Sequence, residues 1–564
     1  MANSTQASNS TQATVKDYVA FMASFQMSDI EAELDGSLAG GFNAYTECCG
    51  RHALGDKADQ PALVHEDAKG KVATYTFAQM HELSGKMANL LKSQGVKQGD
   101  RVAAMLPRNA ELLVLILATW RVGAVYQPLF TAFGYEAIDY RLTQAKTVLV
   151  VTDEENRAKF KSVKDSTKVM LMGSEAAAKK WGDLHYASEF ENQNSDYQAE
   201  VLDSDQPFLQ MFTSGTVGKP KGVAVPLRAL PGFYIYIRYA VGLNGDDKFW
   251  NMADPGWAYG LYYAITAPLL LGCTTHFNEA NFSAENTLAF LKRHKITNLA
   301  SAPTAYRMLK SSGELDGKAD TLFLRMASSA GESLNTEVVN WVTENLGCRV
   351  MDHYGQTETG MTCCCHHRLT HNAPVGSMGR PMPGYRLAIL DAEYNEVEQG
   401  QTGQLVIDMD ASPTFFFAGY TWQEKKPYYG KYYLTGDMVV QHKDGTYWFD
   451  GRDDDIITTA GYKVGPTDVE NTVLEHPAVA ESAAVGKPDE LRGFIIKAFV
   501  VLRDGYEASD QLVKDIQGLV RERMSGHAYP REIEFMDELP KTPSGKIQRF
   551  MLRKQAEDEA NTNA

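Results

Sequence analysis

Nothing in this chain of 564 residues reads as a membrane span. Its longest strongly apolar run, "LLVLILATW" at 112–120, is ended by Arg121, whereas about 20 apolar residues are needed to cross a bilayer. The run predicts a buried helix instead. Positive charge is also short: 55 Lys and Arg stand against 71 Asp and Glu, a formal net charge of −16. That balance speaks against a general nucleic-acid binder and against charge-driven attachment to an anionic membrane. Any phosphate the chain holds must be met by local donors.

Cysteine is scarce, at seven residues, and forms no disulfide framework. Cys363, Cys364 and Cys365 are consecutive and are followed by His366 and His367. Neighbouring side chains splay apart, and zinc ligands come as spaced pairs, so the cluster reads as packing in a reducing, cytoplasmic protein. A secretory leader is missing too. The polar opening "MANSTQASNSTQA" repeats "NSTQA" and predicts a disordered or extended segment over residues 1–30.

The two commonest phosphate fingerprints are absent as well. A P-loop needs G-x-x-x-x-G-K-[ST], but Thr213 stands where its first glycine belongs and Pro220 follows Gly218-Lys219. There is no G-x-G-x-x-G. What stands there is "MFTSGTVGKPKGVAVP" at 211–226, with three glycines, two lysines and three hydroxyl side chains. An apolar run leads in and another leads out, which predicts strand, exposed loop, strand. Glycines let the backbone approach a ligand, and successive N–H groups form an anion nest. Thr213, Ser214 and Thr216 add donors, and Lys219 and Lys221 add charge. The loop is built to hold phosphates.

Strand-like runs ("RVAAMLP", "KTVLVVT", "KVMLMG") alternate with helical ones ("NAELLVLILATWRVGA", "SAENTLAFLKRHK") between about 80 and 350. This predicts stacked α/β layers with largely parallel sheets. From 376 to 450, short alternating strands with glycine turns predict a small β-barrel-like unit. Residues 456–550 read strand, helix, strand, strand, helix, strand, a compact α+β domain. The expected division is 1–30, 31–453 and 454–564.

Five ordered segments carry the chemistry: "TSGTVGKPKG" (213–222), "SSAGESL" (328–334), "DHYGQTETG" (352–360), "YYLTGDMVV" through "GRDDDIITTAGYKVGP" (432–466) and "LPKTPSGKIQR" (539–549). Together they resemble the AMP-forming acyl-CoA synthetases of the adenylate-forming superfamily, most nearly the short- and medium-chain fatty acid and benzoate ligases. The resemblance implies a large multi-subdomain α/β domain, a small mobile α+β C-terminal domain, and ATP, Mg²⁺ and coenzyme A as cofactors.

It also implies roles. Thr213, Ser214, Gly215, Thr216, Gly218, Lys219 and Lys221 hold the β- and γ-phosphates. Gly331 and Glu332 lie along adenine, and Tyr354 stacks on it. Asp352, His353 and Gln356 belong to the same nucleotide site. Thr357 binds the α-phosphate. Glu358 is a hard carboxylate for Mg²⁺. Asp437 takes the ribose hydroxyls, and Arg452 contacts the ribose–phosphate region. Lys546 bridges carboxylate and phosphate oxygens during adenylation. Asp454 is the hinge of a domain rotation that brings Gly461, Tyr462 and Lys463 to the thiol tunnel. Acylation of Lys546 by a lysine acyltransferase, reversed by a deacylase, would remove its charge.

Trp257, Ala258, Tyr259, Ala330 and Gly355 frame the acid. Acetate-specific relatives carry tryptophan where this chain has Gly355, so a short- to medium-chain acid is expected. Acetate, an aryl acid, carrier loading by a free-standing enzyme, and a non-catalytic nucleotide sensor remain as alternatives.

Overall fold

The computed structural model describes residues 15–562 except 162, 164–166, 214–219, 333, 335, 424–425, 454, 460–461, 490–491, 525–527 and 543–546. Two large sheets form the body. The first runs Lys221–Pro226, Pro207–Thr213, Val125–Pro128, Arg101–Met105, Thr147–Asp153, Lys168–Met172, Leu184–His185. All neighbours are parallel except Lys221–Pro226, which returns antiparallel along Pro207–Thr213. The second sheet has nine strands. Its middle, from Pro61–Glu66 through Thr275–Asn278, Phe249–Asn251, Asn298–Ser301 and Met326–Ala330 to Val350–Gln356, is parallel. Antiparallel strands close both edges. This is the layered α/β architecture that the alternating sequence runs predict.

The apolar run forms helix Ala110–Arg121, every residue of which is buried except Glu111. Asn109 caps it, accepting the Leu112 amide at 2.9 Å, which satisfies one of the orphan donors of the first turn. Its partner helix Phe77–Ser93 starts with a reciprocal Thr76–Gln79 capping box. No helix among the described residues is long and apolar enough to cross a membrane.

The β-rich unit is a five-stranded antiparallel sheet branched at Tyr432–Gln441, which pairs with Thr402–Asp408, Tyr428–Tyr429 and Tyr447–Arg452. Beyond it, helix Pro466–Leu474, strands Val479–Asp489, Gly493–Leu502 and Glu532–Phe535, and helix Asp510–Arg523 enclose a core of their own. Val469 and Val473 are both wholly buried on one helix face.

The N-terminal segment departs from the sequence reading. Residues 15–30 are ordered rather than extended. Lys16–Asp17 pairs with Leu369–Thr370, and helices Tyr18–Ser24 and Met27–Glu31 follow. Tyr18 anchors the segment: it is 7% exposed and its hydroxyl donates to the Pro381 carbonyl at 2.9 Å. These partners lie more than 300 residues away, so the local sequence gives no sign of them.

Candidate active site

The site is built on one hairpin. Strand Val350–Gln356 turns through Thr357–Thr359 into Gly360–Cys364. The register shifts between Tyr354 and Gly355, a bulge that brings the two backbones together. A Cβ on Gly355 would lie 2.2 Å from the Gly360 oxygen and 2.7 Å from Met361 Cα. Glycine is therefore demanded by the hairpin itself. This corrects the reading of Gly355 as an acyl-wall position emptied to make room: its missing side chain would point into the neighbouring strand.

The turn is held from three sides. Tyr262 donates to the Thr357 carbonyl at 3.0 Å, Tyr385 to the Thr359 carbonyl at 2.5 Å, and the Met361 amide to the Tyr263 hydroxyl at 2.9 Å. Glu358, at the apex, is only 7% exposed. The Tyr420 hydroxyl donates to its Oε1 at 2.8 Å. Burial pushes its carboxyl pKa up, while Tyr420, Lys221 and Arg452 hold it back. A buried carboxylate steadied by a phenol and two cations is a fitting oxygen ligand for Mg²⁺.

On strand Tyr432–Gln441 of the β-rich unit, Asp437 gathers three donors. Tyr354 donates its hydroxyl to Oδ2, Gln356 reaches the same oxygen at 2.7 Å, and Arg452 reaches Oδ1 at 2.9 Å. Arg452 is also the cross-strand partner of Asp437. Tyr433 donates to Gln356 Oε1 at 2.8 Å, fixing the amide orientation. Tyr354, Gln356, Glu358, Lys221, Asp437 and Arg452 are thus brought together from three parts of the chain.

Gly331 follows strand Met326–Ala330 with φ +104, a conformation that favours glycine. Beside it Glu332 pairs with Arg307 at 2.5 Å and accepts from Thr304 at 2.8 Å. Ala330 pairs with His353 across the sheet. Both loops leave the carboxyl ends of adjacent parallel strands, where open α/β sheets place ligands.

His353 takes a different part from the one expected. Its Nδ1 accepts from Tyr236 at 2.8 Å and its Nε2 donates to the Cys365 carbonyl at 3.1 Å. The ring is 2% exposed, and burial drives its pKa well below the usual value. It props the strand from behind, with both nitrogens committed, and offers no imidazole to a nucleotide. Strand alternation puts Asp352 on the face of Tyr354 and Gln356, and burial pushes its carboxyl up to about 8.

Thr213 and Lys221 face each other at the mouth of the Gly-rich loop. Ser214, Gly215, Thr216, Gly218 and Lys219 lie outside the described residues, as do Asp454, Gly461, Lys546 and the side chains of Tyr462 and Lys463. The segment around Lys546 is framed by a bridge between Lys541 and Ile547. Arg549 pairs with Glu470 at 2.9 Å, and against the opposing effect of burial that carboxylate holds its pKa up, with smaller help from Asp455 and Glu332.

Trp257 packs against Phe130 and Phe133, with ring centroids at 5.5 and 5.6 Å. Tyr259 packs edge-on against Tyr263 at 5.9 Å, and its hydroxyl is buried with no hydrogen-bond partner among the described residues. Ala258 opens the short helix Ala258–Gly260 between them. Tyr420, Trp422, Tyr433, Tyr262 and Tyr385 were not singled out in the sequence. Their only signal there is an aromatic-rich texture.

The AMP-binding enzyme family model matches residues 51–420, and the model for the AMP-binding enzyme C-terminal domain matches 468–546. Acetyl-coenzyme A synthetase of Bacillus subtilis is 37% identical over 546 residues, covering 96% of this chain and 95% of that protein. Mitochondrial acyl-coenzyme A synthetase ACSM4 of Homo sapiens is 34% identical, covering 90% and 88%. Among solved structures, a Brucella canis acyl-CoA synthetase is 44% identical with a TM-score of 0.77, covering 96% and 99%. The anthranilate CoA ligase AuaEII, in complex with anthranoyl-AMP, is 26% identical with a TM-score of 0.84, covering 95% and 100%.

Proposed function

Because this chain belongs to the AMP-binding enzyme family and is an AMP-forming acid–thiol ligase using ATP, Mg²⁺ and coenzyme A, we propose that its acid is a short- to medium-chain carboxylate, with the short end favoured. Acetate, propionate, butyrate and branched acids of similar size are the expected substrates. The observation that carries this reading is Tyr259. Its ring occupies the segment next to Trp257, and the layer it packs into is closed: Tyr236, Tyr262, Tyr263 and Tyr306 are at most 2% exposed. A long acyl tail would have to displace packed aromatics, at a cost of kilocalories per side chain.

The reaction has two halves. In the first, the acid carboxylate attacks the α-phosphorus of ATP, and pyrophosphate leaves. A carboxylate is ionised at neutral pH, so no general base is needed. The residues supply position and charge. The Gly-rich loop from Thr213 to Lys221 holds the β- and γ-phosphates. Tyr354 and Gly331 bracket adenine, Asp437 takes the ribose hydroxyls, and Thr357 meets the α-phosphate. Lys546 bridges the two reacting anions. Mg²⁺, when bound beside Glu358, neutralises charge on the phosphate oxygens. In the second half, the coenzyme A thiol attacks the acyl carbonyl and expels AMP. Domains 31–453 and 454–564 rotate about Asp454 between the halves, and Gly461, Tyr462 and Lys463 then line the thiol path. Lys546 is also the expected target of reversible acylation, in a cytoplasmic enzyme.

Acid-dependent pyrophosphate exchange tests the substrate reading. Measured from acetate to octanoate and with benzoate, kcat/KM should fall beyond five carbons, and Tyr259→Ala should move the optimum to longer acids. Octanoate or benzoate as the best substrate of the unmodified protein would overturn the reading.

A further inference from the structure

The segment Tyr420–Trp422 belongs to none of the motifs, yet it touches the site on both sides. Tyr420 donates to Glu358 Oε1 at 2.8 Å, and the Lys221 ammonium sits 4.6 Å from the centre of the Tyr420 ring. One phenol thus meets the carboxylate at the hairpin apex and the lysine at the mouth of the Gly-rich loop. The Thr421 amide donates to the Gly222 carbonyl at 2.8 Å, which ties the segment to strand Lys221–Pro226 as an antiparallel bridge.

Trp422 completes the tie. Its ring stacks on Phe212, with centroids 5.8 Å apart and planes at 26°. Phe212 and Gly222 are cross-strand partners, one step inside the Thr213–Lys221 pair. A Cβ on Gly222 would lie 2.4 Å from Trp422 Cζ3, so the indole occupies the space that glycine leaves. Trp422 does this with φ +65, although it is no glycine and its side chain is 45% exposed. A bulky residue is rare in the left-handed region and persists only where its surroundings fix it. Here the stack and the bridge on Gly222 fix it. A half-exposed indole held in strain against two strand ends has little to offer a core and much to offer the groups at those ends.

We propose that Tyr420 and Trp422 are positioning residues for the ATP half-reaction: a strap that sets Glu358 at a fixed distance from Lys221 and from the strand pair that carries the Gly-rich loop. The inference rests on the reading that Thr213, Lys221 and Glu358 serve ATP. Tyr420 acts on Glu358 through one hydrogen bond and on Lys221 through its ring face. Trp422 acts on Lys221 and Thr213 through Gly222 and Phe212.

The test compares Tyr420→Phe, Trp422→Ala, Trp422→Phe and Glu358→Gln in the full chain. ATP binding is measured by calorimetry with and without Mg²⁺, without acid. Pyrophosphate exchange gives KM for ATP and for acid, and synthetic acyl-adenylate plus coenzyme A isolates the second half-reaction. A lost hydrogen bond to a charged group corresponds to about tenfold or more. Tyr420→Phe should therefore lower Mg²⁺-supported ATP affinity by about tenfold, leave metal-free ATP binding unchanged, and spare the acid KM. Trp422→Ala should depress exchange by a similar factor, and Trp422→Phe should restore most of it. Both variants should turn over acyl-adenylate normally. If Glu358→Gln abolishes the Mg²⁺ effect while Tyr420→Phe and Trp422→Ala leave it intact, the strap is refuted and the site reading stands. If Glu358→Gln has no effect on ATP binding, the site reading itself fails. Should Trp422→Ala not fold, Tyr420→Phe, which removes one oxygen atom, still decides the matter.

Discussion

Tyr354 and Asp437 lie 83 residues apart, and the phenol of the first donates to the carboxylate of the second. The bond joins the hairpin of the nine-stranded sheet to the five-stranded β unit. Asp437 is 4% exposed and also receives Gln356 and Arg452. Asp437→Asn would keep the volume but lose the charge that binds Arg452. Its KM for ATP should rise by about tenfold or more, the scale of a charge-assisted hydrogen bond, with KM for the acid unchanged. Equal rises for both substrates would mean that the carboxylate only holds the fold.

Gly355 separates two explanations of a glycine. If it had merely left an indole's space open, Gly355→Trp would spare acetate and exclude longer acids. The 2.2 Å approach of a Cβ to the Gly360 oxygen forbids that outcome unless the hairpin moves. Gly355→Ala and Gly355→Trp should both depress every acid together, raise KM for ATP, and lower stability by about 1–3 kcal/mol. A variant that kept full acetate turnover would show that the bulge gives way.

The half-reactions should divide by residue. Lys546→Ala should reduce acid-dependent pyrophosphate exchange by orders of magnitude, while acyl-adenylate and coenzyme A still react. Gly461→Leu should do the opposite, filling the thiol path and leaving exchange intact. Parallel loss in both assays for either variant would contradict the proposed rotation about Asp454.

Five histidines with lowered pKa values make stability sensitive to acid. Burial lowers His52 and His366 to about 3, His276 and His367 to about 4, and His353 well below the usual value. Folded, these rings stay neutral, while the unfolded chain takes up their protons below about 6.5. Stability is therefore whole above that pH and is lost as pH falls toward about 4, by at most about 1.4 kcal/mol per pH unit for each ring. Urea midpoints at pH 7.5, 6.5 and 5.5 should decline in that order. Neither ring nitrogen of His366 has a hydrogen-bond partner among the described residues. His366→Phe should therefore flatten the decline, and an unchanged slope would remove His366 from the account.

Much of the architecture was legible because it is local. Helix Ala110–Arg121 and strand Thr147–Asp153 follow from runs of apolar residues. The motif residues were legible as types: a carboxylate at 358, a lysine at 221. What they touch was not. Tyr420 meets Glu358 across 62 positions, and Trp422, from a turn outside the named strands, meets Phe212 of the seven-stranded sheet. Tertiary packing alone sets these contacts. Gly355 was misread for a related reason. A glycine shows in sequence only that a side chain is missing, and the cause lay in a strand five residues further on. The ordered segment from Lys16 likewise depends on Leu369–Thr370.

All seven cysteines are buried free thiols, and burial pushes each of them up, four to about 12 and Cys48, Cys363 and Cys364 further. A maleimide reacts with an exposed thiolate, so the native chain should be blind to it. That blindness makes the protein a ready scaffold for dyes. One new cysteine on the exposed face of helix Ala284–Arg293 and one on helix Asp510–Arg523 can be labelled with the native seven left in place. Energy transfer between the two dyes would then change during turnover if the proposed rotation about Asp454 takes place, and stay constant if it does not.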